Sequence, residues 1–190
     1  MEYKSPGEQY FQWWLDDLKE HGIIKRYVYE YTSFTLSTSK FYRSTKHLVT
    51  KVKLVEHSLL DAHQYTPDFL IEWNKQYDGI YYRTISGDKY THKVPFFAVI
   101  SKKDNGHYTF FEVKPEFDQN NMTRLFRLNQ KWLYDKYGLY VELAVLPRLF
   151  KQTFVPTRFL RTDKDTTARK INFDIRSLTD YTKWLKAQIK

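Results

Sequence analysis

Residues 107–114 read HYTFFEVK and constrain the fold more than any other segment. The run is rich in β-formers. It follows the turn signal Asp104-Asn105-Gly106 and is stopped by Pro115. Glu112 and Lys114 stand two apart within it, and residues i and i+2 of a strand share a face. A strand otherwise built from Phe110, Phe111 and Val113 belongs in a core. A charge there is costly unless it is paired or binds an ion. The chain must therefore bury a sheet and give that sheet a reason to hold two charges.

The flanking sequence supplies partners for such a strand. Ser5-Pro6-Gly7-Glu8 predicts a helix start, with Ser5 as N-cap, Pro6 in the first turn and Glu8 at the capping-box position. Phe11, Trp14, Leu15 and Leu18 form its apolar stripe, and His21-Gly22 ends it. Residues 23–36 (IIKRYVYEYTSFTL) predict one strand, 37–46 a turn or loop, and 47–55 a half-buried strand. Tyr65-Thr66-Pro67-Asp68 opens the strand PDFLIEW. Residues 78–83 and 94–101 suggest an inserted hairpin joined at Ser86-Gly87-Asp88. A helix is expected over 119–137, with Leu125, Leu128, Trp132 and Leu133 on its inner side and Gly138 at C′. Residues 139–146 (LYVELAVL) predict a strand closed by Pro147. Residues 147–176 are basic without clear periodicity, and 177–190 predict a last helix with Leu178, Tyr181 and Leu185 inward. This order predicts an α/β fold with a mixed central sheet flanked by helices, an inserted β-hairpin at 75–106, and a basic C-terminal extension, 147–190, packed on a core of 1–146.

The charge is unevenly spread. The chain has 190 residues and a net charge of +9. Residues 119–190 hold fifteen Lys and Arg against six Asp and Glu, whereas 61–118 hold seven against nine. A basic surface rich in tyrosine suggests a polyanion, most plausibly nucleic acid. The absence of cysteine excludes disulfides, thiolate zinc and a Cys nucleophile. No His pair has metal-ligand spacing, and the six scattered glycines make no phosphate loop. The N-terminus lacks the apolar stretch of a signal peptide, and no run is long enough for a membrane span. The expectation is therefore a cytoplasmic protein without a membrane partner.

Three carboxylate-bearing features stand out. Pro67-Asp68 puts an acid at the start of a strand. Glu112-x-Lys114 puts an acid and a base on one face of another. Glu8 lies on the apolar stripe of the first helix, where capping and metal binding compete for the same carboxylate. Each has an ordinary structural explanation when taken alone: a turn, a salt bridge, a cap.

In this order, Tyr65-Thr66-Pro67-Asp68-Phe69-Leu70 followed by Phe111-Glu112-Val113-Lys114 resembles the PD-(D/E)xK nuclease superfamily. The likeness is to the phage endonuclease I branch of Holliday-junction resolvases and to transposon end-cleaving nucleases. The opening Ser5-x-Gly7-Glu8 helix is similar to that branch as well. The resemblance covers roughly residues 5–146. It implies a restriction-endonuclease-like core of order αβββαβ and a metal-dependent endonuclease acting on DNA, selective for branched structures. It implies one or two Mg²⁺ or Mn²⁺ ions held by Asp68, Glu112, the Val113 carbonyl and Glu8, with Lys114 beside the attacking water. It would place the protein in a host cytoplasm if phage-encoded. The 43 residues between Asp68 and Glu112 depart from the short hairpin of that branch. The 75–106 insertion would fill the gap and reshape the cleft.

Gln130 and Tyr134 fit the Q-x-x-x-Y pattern that follows E-x-K in RecB-like exonucleases, a spacing that is also commonplace on helices. Arg124, Arg127 and Lys131 line one helix edge, and Arg148, Lys151, Arg158, Arg161, Lys164, Arg169 and Lys170 form a basic stretch suited to phosphate contacts. Three alternatives stay open: an exonuclease of the RecB-like kind, a non-catalytic nucleic-acid-binding protein on a nuclease fold, and an assembly protein whose aromatics serve protein contacts. A homodimer would favour junction resolution, which needs two sites.

Overall fold

A computed structural model describes residues 3–77, 82–86, 91–96, 99–100, 103–116, 122–162 and 167–188. The chain opens with α1 (Pro6–Glu20), then β1 (Ile24–Tyr29), β2 (Phe34–Ser37), β3 (Lys40–His47), β4 (Val52–Leu60), β5 (His63–Tyr65) and β6 (Phe69–Trp73). It continues with β7 (Tyr82–Ser86), β8 (Thr91–Pro95), β9 (Val99–Ile100), β10 (His107–Lys114), α2 (Met122–Tyr137), β11 (Val141–Val145), α3 (Leu146–Gln152) and α4 (Leu178–Gln188).

The central sheet runs β1-β6-β10-β11, with β9 added beside β10. β1 and β10 lie antiparallel to β6, and β11 lies parallel to β10, so the sheet is mixed. The parallel pair is joined through α2, the kind of crossover that parallel strands require.

Helices cover both faces, and the period-2 alternation of β6 and β10 sorts their side chains between two cores. Phe69, Ile71, Phe111 and Val113 join Phe11, Trp14, Leu15 and Leu18 of α1 in one cluster. That cluster also takes Leu149 and Phe150 of α3, Phe154, and Leu178 and Tyr181 of α4. Leu70 and Phe110 face the other way, with Tyr65, Val141, and Phe126 and Leu133 of α2. Phe11 and Trp14 stack at 5.5 Å, Trp14 and Phe154 at 5.6 Å, and Trp14 Nε1 donates to Thr153 Oγ1 at 3.1 Å. The C-terminal segment is thereby tied into the α1 core.

Several expectations hold. Ser5 caps α1 and its Oγ accepts the Glu8 N–H at 3.3 Å. Gly22 and Gly138 close their helices at φ +66°, the left-handed conformation that glycine adopts without penalty. β10 has the expected bounds, and β7 pairs with β8 as a hairpin within the insertion, although over 82–86 and 91–95 rather than 78–83 and 94–101, with Val99 and Ile100 joining the central sheet instead.

Other expectations are corrected. Residues 23–36 are two strands, broken at Glu30, which sits at φ 46° and donates its N–H to the Asp68 carbonyl at 2.8 Å. The predicted 37–46 loop contains β3, and β4 begins at Val52 rather than at residue 47. Among the described residues these two strands pair only with each other, and every residue of β4 is exposed or half-buried. On α2, Phe126, Asn129, Gln130 and Leu133 face inward, while Leu125, Leu128 and Trp132 are exposed. β11 ends at Val145, ahead of Pro147 as expected, but Pro147 lies in the first turn of α3, a helix within the stretch expected to lack periodicity. Residues 78–81, 87, 88 and 119–121, and the Leu185 side chain, lie outside the described residues. Among the described residues no helix is long and apolar enough to cross a membrane.

Candidate active site at the β6–β10 edge

The antiparallel ladder between β6 and β10 ends at the Phe69–Phe111 pair. β10 runs on beyond it, paired through Lys114 to β11. A buried backbone donor left without a partner costs as much as a lost hydrogen bond. At Val113 that donor is satisfied by the side chain preceding β6: Asp68 Oδ2 accepts the Val113 N–H at 2.7 Å. Glu112 and Lys114 share the sheet face of Phe110 and Tyr65. Glu112 Oε1 lies 2.6 Å from Lys114 Nζ, and Tyr65 O–H donates to Glu112 Oε2 at 2.9 Å.

Glu112 is 6% exposed, so the fold buries an acid between a cation and a phenol. Burial, and then the Glu112 charge, push the Asp68 carboxyl up to about 7; the nearby charge of Glu8 acts in the same direction, against the Val113 N–H bond and Lys114. Burial, followed by the Glu112 charge, also holds the Tyr65 hydroxyl protonated well above its ordinary range. Two acids thus share a corner with one lysine, and burial together with the neighbouring Glu112 charge makes an ionised Asp68 costly there.

Glu8 is placed differently. Its carboxylate accepts the Ser5 hydroxyl at 3.0 Å, the Lys4 N–H at 3.0 Å and the Tyr29 hydroxyl at 2.6 Å. It serves the capping role, and the phenol of Tyr29, which sequence reasoning missed, is one of its partners. The start of α1 nonetheless lies against this edge, since a Cβ on Gly7 would stand 3.5 Å from Val113 Cγ1. Among the described residues no three Asp, Glu or His side chains are gathered as a ready metal cage. The structure therefore brings together Asp68, Glu112, Lys114 and Tyr65, with Glu8 close enough to act on Asp68 through its charge.

Tyr65 was also missed as a site residue. It falls in the motif around Pro67-Asp68, but no spacing rule gives a tyrosine three residues before an aspartate a role. Only the pairing of β5 with β2 sets it beneath Glu112.

Gln130 is buried and spends its amide internally. It donates to the Val141 carbonyl at 2.5 Å and accepts from Arg127 at 3.1 Å, which anchors α2 to the start of β11. Arg124, Arg127 and Lys131 lie on the exposed face of α2. Tyr134 lines an open groove of about 740 Å³ with Leu128, Lys131, Trp132, Asp135 and Tyr140. Arg148, Lys151, Arg158 and Arg161 are exposed, with the Arg158 guanidinium 5.0 Å from the Trp13 ring. Lys164 lies outside the described residues. Arg169 is turned inward: it stacks on Tyr10 at 4.8 Å and Phe159 at 4.6 Å and donates to the Phe159 carbonyl at 3.1 Å. Comparison with protein-family models, with curated proteins and with solved structures finds no match for the chain.

Proposed function

We propose that the β6–β10 edge is the active site of a metal-dependent endonuclease that hydrolyses DNA phosphodiester bonds. The observation that carries this reading is the convergence of Asp68 and Glu112 on one corner with Lys114. The donor set fits a hard divalent cation, Mg²⁺ or Mn²⁺. Asp68 and Glu112 supply carboxylate oxygens. A strand residue that exchanges hydrogen bonds presents its N–H and C=O to the same neighbour. The Val113 carbonyl therefore faces the Asp68 side, where β6 has already ended. When bound, the cation would polarise the scissile phosphate and lower the cost of ionising water.

The chain's own residues do the rest. Lys114, positioned by Glu112, places a positive charge where negative charge develops on phosphorus and orients the attacking water. Tyr65 fixes the Glu112 carboxylate. Glu8 adds negative charge near Asp68 while its oxygens cap α1. The exposed cations of α2 and α3 hold the backbone away from the reacting bond. The strand order, with two antiparallel pairs, an α2 crossover and a parallel β11, supports a restriction-endonuclease-like core of order αβββαβ. Glu112-x-Lys114 within β10 and Asp68 just ahead of β6 are in keeping with that reading.

The experiment is a cleavage assay of the purified chain on linear duplex, single-stranded and four-way-junction DNA, with Mg²⁺ or with EDTA. Cleavage that needs the cation and is abolished by Lys114→Ala supports the reading. Cleavage unaffected by EDTA contradicts it. Faster cleavage of the junction assigns structure selectivity.

A further inference from the structure

The antiparallel ribbon of β3 and β4 is held by its own ladder. Its residues are exposed or half-buried throughout, and none belongs to either core cluster. A two-stranded ribbon is marginal in water without a surface to pack on. Residues 40–60 carry Lys40, Arg43, Lys46, Lys51 and Lys53 against Glu56 alone. Arg43 Nε lies 3.2 Å from Glu56. Among the described residues no carboxylate pairs with Lys46, Lys51 or Lys53.

The register sharpens this. Lys46 and Lys53 stand directly opposite each other, a cross-strand placement in which like charges repel. The tight turn beyond them, closed by the Leu48 N–H to the Lys51 carbonyl at 2.8 Å, brings Lys51 to the same end. On the face of Lys46 and Lys53 lie Ser44 and the Tyr42–His57 pair, whose rings stack at 4.9 Å. The opposite face carries Phe41, Val52 and Leu54. A repelling lysine pair at the tip of an unsupported ribbon is relieved by a polyanion. Eight paired residues make the ribbon about 26 Å long at ~3.3 Å per residue. The major groove of B-form DNA admits a two-stranded ribbon of this kind.

We infer that the β3–β4 ribbon is a duplex-DNA-binding arm, entering the groove with Lys46, Lys51 and Lys53 on the phosphates. This deepens the proposed function by naming duplex as the substrate that the arm grips. It concerns binding and not hydrolysis, so the two are tested apart.

Fluorescence anisotropy of a labelled mixed-sequence duplex, in EDTA across a series of NaCl concentrations, tests the arm. Removing one lysine from a phosphate lowers the salt slope by about one. The Lys46→Ala/Lys51→Ala/Lys53→Ala triple variant should therefore lower the slope of log Kd against log [NaCl] by about three, with a melting temperature no lower than the parent's. The weakening should be larger on duplex than on a single strand of the same length. An unchanged slope, or equal weakening on both strand forms, overturns the inference. The Val52→Ser/Leu54→Ser variant should bind duplex as the parent does. If it instead converts an oligomer to a monomer while the triple variant binds normally, the ribbon is a protein contact and the inference fails. Because no divalent ion is present, failure here leaves the hydrolysis reading standing. Loss of cleavage in an Asp68 variant likewise leaves the arm standing.

Discussion

Asp68 accepts the Val113 backbone N–H at 2.7 Å across the point where the β6–β10 ladder ends. One side chain thus completes the hydrogen bonding of a buried strand and brings a carboxylate beside Glu112. The structural and chemical roles of Asp68 separate by substitution. Asn keeps an acceptor for the N–H, whereas Ala leaves the donor orphaned at a cost of about 1–3 kcal/mol. In EDTA at neutral pH, Asp68→Asn should be at least as stable as the parent and Asp68→Ala less stable, by urea denaturation. Equal destabilisation by both would show that the Val113 bond contributes nothing.

The same carboxyl sets a pH dependence. Its pKa is about 7 in the fold, against an ordinary value of 3.8. The native state therefore binds the proton more tightly than the unfolded chain, and this contribution to stability is present below about pH 4 and lost as pH rises through 7. Metal-free parent should fall in stability relative to Asp68→Asn between pH 5 and about 8, and Mg²⁺ should narrow the gap at the upper end. A gap that stays constant across that range would mean that the fold leaves the Asp68 carboxyl at its ordinary pKa.

Tyr65 donates to Glu112 Oε2 from within the core formed with α2. Tyr65→Phe removes one hydrogen bond to a charged acceptor, and should cost about 1.5–3 kcal/mol in urea denaturation. It should also slow cleavage by freeing the carboxylate that Lys114 leans on. A variant that is destabilised yet cleaves at the parental rate would make Tyr65 purely structural.

How much of this was legible in the sequence depends on the range of the interactions involved. The Ser5 cap, the left-handed Gly22 and Gly138, and β10 with its two charges follow from local chemistry, and the sequence alone places them. The break at Glu30 does not, because IIKRYVYEYTSFTL has no Gly or Pro there; the chain turns to give the Glu30 N–H to Asp68, 38 positions further along. The inner face of α2 was misread because Asn129 and Gln130 are polar. They are buried on account of distant partners: His63 Nε2 lies 2.8 Å from Asn129, and Val141 takes the Gln130 amide. The ribbon was hidden because Ser and Thr in 37–46 suggest a loop, although Thr and the aromatics are also strand formers.

The C-terminal segment belongs to the fold. Tyr181 is fully buried, near Phe154, which stacks on Trp14. Tyr181→Ala should cost about 3–5 kcal/mol, as large aromatic truncations in cores do. Thermal melting checks this. A loss below about 1 kcal/mol would mean that the helix packs loosely, in contrast with an ordinary buried aromatic.

The central claim is that Asp68 and Glu112 hold the cation that drives phosphodiester hydrolysis. Its most direct measurement is a time course of supercoiled-plasmid cleavage in Mg²⁺ by the parent and by Asp68→Asn, with DNA binding followed in parallel. The account predicts that the parent cleaves, that EDTA stops it, and that Asp68→Asn is slower by about 100-fold or more, the rate equivalent of the several kcal/mol that a bound divalent ion supplies. It also predicts that Asp68→Asn keeps its affinity for DNA. Cleavage by Asp68→Asn at the parental rate would contradict it.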